Sequence, residues 1–313
     1  MKVSRRRIFA VLGSLALGFS PMLGVTQNDT SGSRIILVSG ATGTQGGAVA
    51  RALIERGFTV RGLTRNPDSE RARALSALGV EMVRGDFDDT ASIDAALVDA
   101  YGAYSVQQYR GIGVDAEIRQ SKAFADAARR AGVRHFVYSS VLFARLGSGV
   151  AQFESKREIE DYIRSIDLPY SFIRPASFMS NFEGVRESAS SGIYRTPFPP
   201  QMTQLHIAPR DIGRVVASAF ENPDRWIGRE LNLAGQRIAY ADIAATMSRV
   251  MGHEVRYEQI PWADYAASAA PTAAAREQWF MANPVAIDLD ALHREFPGFM
   301  TIEDYLISAG WGD

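Results

Sequence analysis

The stretch SGATGTQGGAV, Ser39 to Val49, decides the fold. It follows the apolar run RIILVS (34–39) and opens GGAVARALIERG (46–57), whose apolar residues recur at helical spacing before Gly57. Gly40, Gly43 and Gly46 therefore sit where a strand turns sharply into a helix. Side chains at such a turn block both the bend and the approach of a pyrophosphate to the backbone. The helix start beyond the turn offers free N–H groups and the positive end of its dipole to phosphates. Gly40, Thr42, Gly43, Thr44, Gln45 and Gly46 are thus the expected cradle of a dinucleotide.

Working outward, apolar runs alternate with amphipathic stretches. FTVRGLT (58–64), VEMVRGD (80–86), GAYSVQQ (102–108), RHFVYSS (134–140) and PYSFIRP (169–175) read as further strands. SERARALSALG (69–79), DTASIDAALVDA (89–100), AEIRQSKAFADAARRAG (116–132) and FESKREIEDYIRSI (153–166) read as the helices between them. Strands joined through helices of this length need right-handed crossovers and build a parallel sheet covered on both faces. The expected fold class is α/β, a Rossmann-type doubly wound parallel sheet over residues 32–178. A smaller C-terminal lobe over 179–313 is interleaved with it across a soft boundary. In that lobe YRTPFPPQM (194–202) reads as proline-rich loop, APRDIGRVVASAFENP and YADIAATMSRVMG as helices, and GRELNLAG and HEVRYEQIP as strands.

The end of the second strand selects the dinucleotide. NAD proteins of this type place Asp or Glu there for the ribose hydroxyls. Here the chain runs Leu63-Thr64-Arg65-Asn66-Pro67, without an acid. Arg65 suits a 2′-phosphate, which a guanidinium grips with a charge-assisted fork, so NADP(H) is expected over NAD(H). The alternative is a solvated loop arginine. After the third strand, either Asp86 accepts from an adenine amino group, with Phe87 packing on the ring, or the acidic run is the start signal of the next helix, with Asp89 or Thr90 as its cap. Gln107, beyond the fourth strand, and Phe178, beyond the sixth, are further cofactor-side candidates.

The remaining composition narrows the class. The 34 Lys and Arg nearly balance the 35 Asp and Glu, which argues against nucleic acid as a partner. Cysteine is absent, excluding disulfides, thiolate catalysis and zinc–cysteine sites. The four histidines show no metal-binding spacing, so no metal is expected. Residues 1–31 form an expected export signal and linker: Lys2 and Arg5 to Arg7 precede a Leu/Ala/Gly-rich run, and Arg6-Arg7-Ile8-Phe9 has a twin-arginine pattern. The expectation is periplasmic export, the alternative an uncleaved membrane anchor.

Together the blocks SGATGTQGGAVARALIERG, RGLTRNP, VRGDFDD, HFVYSS, FESKREIEDYI and FIRPASFMSNF resemble the NmrA-like family of atypical short-chain dehydrogenase/reductases, from about Arg34 to TIEDYLISAGW. The resemblance implies a Rossmann fold and NADP held by the glycine loop and the arginine after the second strand. It also implies either an NADPH-dependent reductase, quinone reductases included, or a regulator or redox sensor without known catalysis. An export signal fits the transcription-linked role poorly.

Many such reductases carry Tyr-x-x-x-Lys on the helix that here reads AQFESKREIEDYI (151–163). Residues four apart share a helix face, so the ammonium lowers the phenol's pKa beside a carbonyl substrate. Lys156 is present and suits the nicotinamide ribose, although a surface lysine is the plainer alternative. The tyrosine position holds Gln152, whose amide orients a carbonyl but releases no proton near neutral pH. Ser140 is the candidate assisting serine, with Val141 competing for the aligned position. Two functions remain open: a reductase of a quinone-like or other small carbonyl acceptor needing no tyrosine, or a non-catalytic NADP(H)-binding sensor.

Overall fold

The computed structural model describes residues 34–145 and 147–313. The export segment expected at 1–31 lies outside them. Five helices separate the first six strands. β1 (Ile35–Val38), α1 (Thr44–Glu55), β2 (Thr59–Thr64), α2 (Glu70–Ser76), β3 (Glu81–Arg84) and α3 (Thr90–Ala96) form the first half. β4 (Ala100–Ser105), α4 (Val114–Arg130), β5 (His135–Ser139), α5 (Ala151–Ser165) and β6 (Tyr170–Pro175) form the second. These strands lie where the periodicity puts them.

The chain then runs through β7 (Ser177–Phe178), a 3-10 segment at Met179–Val185, α6 (Arg186–Ser190), β8 (Ile193–Thr196) and β9 (Thr203–Ile207). α7 (Pro209–Glu221), α8 (Pro223–Trp226), β10 (Glu230–Leu233), β11 (Gln236–Ala239), α9 (Tyr240–Met251) and β12 (Arg256–Gln259) follow. Four helices, α10 (Trp262–Ser268), α11 (Pro271–Ala282), α12 (Leu289–Glu295) and α13 (Ile302–Ser308), come last.

Seven strands pair in the order β10-β6-β5-β4-β1-β2-β3, every pair parallel. The order reverses between β1 and β4, the crevice where open α/β sheets bind ligands. Successive residues bury against opposite layers: Ile36 and Val38 pack with α1 and α7, whereas Leu37 packs with Phe124 of α4 and Ile159 of α5. On the first layer α1 and α7 approach until a Cβ on Gly213 would lie 2.5 Å from the Ala48 carbonyl oxygen. Two residues before it, the buried Asp211 carboxylate accepts the Met300 N–H at 2.7 Å and pairs with Arg214 at 3.3 Å. That contact ties α7 to the segment leading into α13.

Residues after 178 return to the large sheet through β10, which runs beside β6. With β7 they also make two small sheets, β11-β9-β7 and β12-β8, over a core of Met179, Phe182, Tyr240, Ile243 and Trp311. The stretch read as proline-rich loop contains Tyr194 to Thr196 of β8, paired with Tyr257 to Gln259. β7, β9 and β11 likewise went unread, because runs of two to five residues are too short to show a period.

Two histidines are buried in this framework. His135 Nε2 lies 2.8 Å from Ser171 Oγ, which itself donates to the Trp226 carbonyl at 2.6 Å, so the ring nitrogen is the donor. His206 packs on the Phe182 ring at 5.2 Å between centroids. Burial lowers each imidazole to about 4. Below its unfolded pKa near 6.5 the unfolded chain binds protons that the folded one refuses. Stability is therefore whole above that value and is lost as pH falls toward about 4, by up to ~3 kcal/mol per histidine. Urea midpoints measured from neutral pH downward should fall through this window, and His206→Phe should make the fall shallower. An unchanged slope would refute the assignment for His206.

Candidate functional site

The cradle is built by backbone contact. Gly43 N–H donates to the Gly40 carbonyl at 2.9 Å and stands at the N-cap of α1, where no side chain caps the helix. Gly43 and Thr44 are exposed and Thr42 is half-buried, so the first-turn N–H groups face an open edge. A Cβ on Gly46 would lie 2.2 Å from the Gly40 oxygen and 2.8 Å from the Ser39 oxygen, so only glycine allows the helix to seat this low on the strand. The cradle thus fits a group that needs close backbone approach. Gln45 turns inward, donating from Nε2 to Ser139 Oγ at 2.6 Å and pinning α1 to the end of β5. Ser39 Oγ accepts the Val106 N–H at 2.8 Å and pins β1 to the segment beyond β4.

At the end of β2, Arg65 is exposed and has no hydrogen-bond or ion-pair partner among the described residues. The turn after it is set by Asn66, whose Oδ1 accepts the Asp68 N–H at 3.1 Å, and by Ser69, which caps α2. Within the acidic run the helix start signal falls on Asp89. Asp89 caps α3, accepting from the Ala91 and Ser92 N–H groups. Asp86 is exposed, with Oδ1 accepting the Asp88 N–H at 3.0 Å. Phe87 is half-buried and meets Phe124 edge-on at 5.6 Å.

Beyond β4 and β5 lies a buried polar floor. Lys156 Nζ donates to the carbonyls of Gln107 at 3.2 Å and Ser139 at 3.5 Å, and sits 3.0 Å from a carboxylate oxygen of Glu117 on α4. Glu117 is fully buried, and its other oxygen accepts from Ser155 Oγ at 2.8 Å. Gln107 Oε1 accepts from Ser105 and Ser121, while its Nε2 is buried without a partner among the described residues. Ser140 Oγ is likewise buried and unpartnered. Gln152 stands half-buried one turn before Lys156, its amide without a partner among the described residues.

Neither Tyr138 nor Tyr162 replaces the missing phenol. Tyr138 is buried, with Lys156 Nζ 5.2 Å from its ring centre, and burial together with Glu117 and Glu160 raises its pKa. Tyr162 points away and donates to Asp126 at 2.7 Å. Phe178 leads into the 3-10 segment and packs on the large-sheet core. Beside the loop after β5 a cleft of about 540 Å³ is lined by Leu142, Phe143, Trp279 and Val285 among others. There Trp279 of α11 meets Phe143 and Phe153 at 5.0 Å each.

Sequence reasoning missed Glu117 and the tie between Ser139 and Gln45. The signal for the first was present: Glu117, Gln120 and Ser121 form a polar stripe at helical spacing, and all three are buried on α4.

Comparison with known proteins agrees with this architecture. The NmrA-like family model matches residues 32–306. The chain belongs to that family. Among its relatives, the NmrA-like family domain-containing oxidoreductase FrzB of Cladobotryum sp is 31% identical over 256 residues, 72% of this chain and 76% of that one. Triphenylmethane reductase of Citrobacter sp., solved in complex with NADP(H), superposes with a TM-score of 0.75 at 23% identity, covering 88% of this chain and 99% of that one. NmrA, a negative transcriptional regulator solved with NADP, gives 0.72 at 21% identity, covering 87% of this chain and 94% of that one. The same fold thus occurs in a reductase and in a transcriptional regulator.

The steric measure of the cradle is direct. Gly46→Ala should destabilise the protein by about 1–3 kcal/mol, because backbone rather than a flexible side chain must move. Urea unfolding checks this, and a loss below about 0.5 kcal/mol would mean that the loop yields freely.

Proposed function

We propose that the protein is an NADP(H)-dependent oxidoreductase that reduces a quinone-like or other small carbonyl acceptor without a tyrosine acid. The carrying observation is the pairing of an uncapped glycine cradle with an acid-free strand end that presents an unpaired arginine, Arg65. The first-turn N–H groups of α1 would receive the pyrophosphate, and Arg65 the 2′-phosphate. Relatives support the reading: FrzB is an oxidoreductase, and both structural neighbours named above were solved with NADP or NADP(H).

Bound NADPH supplies hydride. A quinone takes that hydride and one proton to give a hydroquinone, and water can supply the proton. Such an acceptor matches a helix that carries Gln152 where a phenol would stand. The cleft between the loop after β5 and α11, where Trp279 meets Phe143, offers aromatic rings for it to pack against. The twin-arginine pattern at Arg6-Arg7 supports export of the folded, cofactor-loaded protein to the periplasm. Fractionation of cells making the full chain should then find it outside the cytoplasm, and an Arg6→Lys/Arg7→Lys variant inside.

A chain lacking residues 1–31 should quench or enhance NADPH fluorescence on binding and consume NADPH with members of a quinone and aldehyde panel. Arg65→Glu should weaken NADPH at least about tenfold while sparing NADH, the cost of removing a charge-assisted fork. Unchanged NADPH affinity would sink the 2′-phosphate assignment. Binding with no turnover on any acceptor would make the protein a dinucleotide-responsive binder instead.

A further inference from the structure

Lys156 and Glu117 form a net-neutral pair inside the protein. Glu117 is fully buried and the lysine side chain is 10% exposed, with their charges 3.0 Å apart. The ammonium also holds the backbone ends of β4 and β5 through Gln107 and Ser139. The other buried carboxylate of this region, Glu160 on α5, is spanned by Arg164 and Arg174. In a doubly wound sheet a dinucleotide crosses the switch point, one nucleotide over each half. The glycine cradle and Arg65 belong to the β1–β2 half, which leaves the nicotinamide end for the β4–β5 half where Lys156 sits. This inference rests on the dinucleotide reading above.

The oxidised nicotinamide ring carries a positive charge and the reduced ring none. An uncompensated ammonium below it would repel the oxidised form alone, and such repulsion is strong where water is scarce. We propose that Glu117 is a positioning and charge-compensating residue that sets the relative affinity for NADP⁺ and NADPH. It holds the ammonium on the strand ends, so that the floor stays rigid, and cancels the charge, so that the oxidised form is not expelled. Glu117 touches neither acceptor nor reacting atoms; it acts through Lys156.

The test is a ratio, measured by titrating the chain lacking residues 1–31 with each form. Glu117→Gln keeps the size of the side chain and one accepting oxygen while removing the charge, and should raise Kd(NADP⁺)/Kd(NADPH) about fivefold or more, the Coulombic effect of a partly screened charge. A tenfold change in that ratio is about 30 mV in the potential of the bound two-electron couple. The neutral double variant Glu117→Gln/Lys156→Gln should return the ratio to within about twofold of wild type, because no net charge remains. A purely structural role weakens both forms alike, so equal changes in the two constants, or none, would overturn the proposal. Should Glu117→Gln fail to fold, Lys156→Gln carries the test with the opposite sign, and a ratio that does not fall would overturn it. A wild-type chain that binds neither form fails the dinucleotide reading itself, a result distinct from any ratio.

Discussion

The contact between Gly46 and the Gly40 carbonyl fixes everything around it. Because no Cβ intervenes, α1 seats directly on the end of β1 and its first turn opens at the switch point of the sheet. α1 can then pack along α7, where Gly213 answers with a second backbone-to-backbone approach at Ala48. Asp211, in the same turn of α7, draws in the segment before α13. One steric constraint in the cradle is thus transmitted to the C-terminal residues, and the α7 side of the sheet is organised around a loop suited to phosphates.

The opposite side of the site is held by polarity. Two buried hydrogen-bonded ties, Gln45 to Ser139 and Ser39 to Val106, lock the cradle to β4 and β5. Lys156 then locks β4 and β5 to each other and, through Glu117, to α4. Replacing a buried ion pair by apolar residues is often neutral or stabilising, whereas removing one partner costs about 3–5 kcal/mol. Stability alone therefore does not account for this pair. Its geometry does: one ammonium reaches two strand-end carbonyls and a carboxylate at once, which an apolar side chain cannot do.

Much of this was legible in the sequence. The crossovers that build the large sheet follow from short strand-length runs of four to six residues separated by amphipathic helices, and the glycine register announces the cradle. Arg65 at an acid-free strand end is also a local signal. What was not legible is pairing over distance. Lys156 and Glu117 stand 39 positions apart on different helices, and nothing local to either marks the contact. The short strands β7, β8, β9 and β11 take their pairing from the lobe they help to build. Of the acidic run after β3, only the folded turn shows that Asp89 is the cap and Asp86 the turn-former.

The absent phenol takes a different meaning beside the ion pair. A Tyr-x-x-x-Lys pair needs a lysine whose charge is free to stabilise a phenolate. Here the ammonium is already compensated by Glu117, so a tyrosine at position 152 would gain little acidity from it. Gln152 and Glu117 are therefore consistent with each other: one removes the proton donor, the other removes the charge that would have activated it. Under the function proposed above, the same compensation would lower the penalty for holding an oxidised nicotinamide ring, and such a site would suit acceptors that take hydride and draw their proton from water.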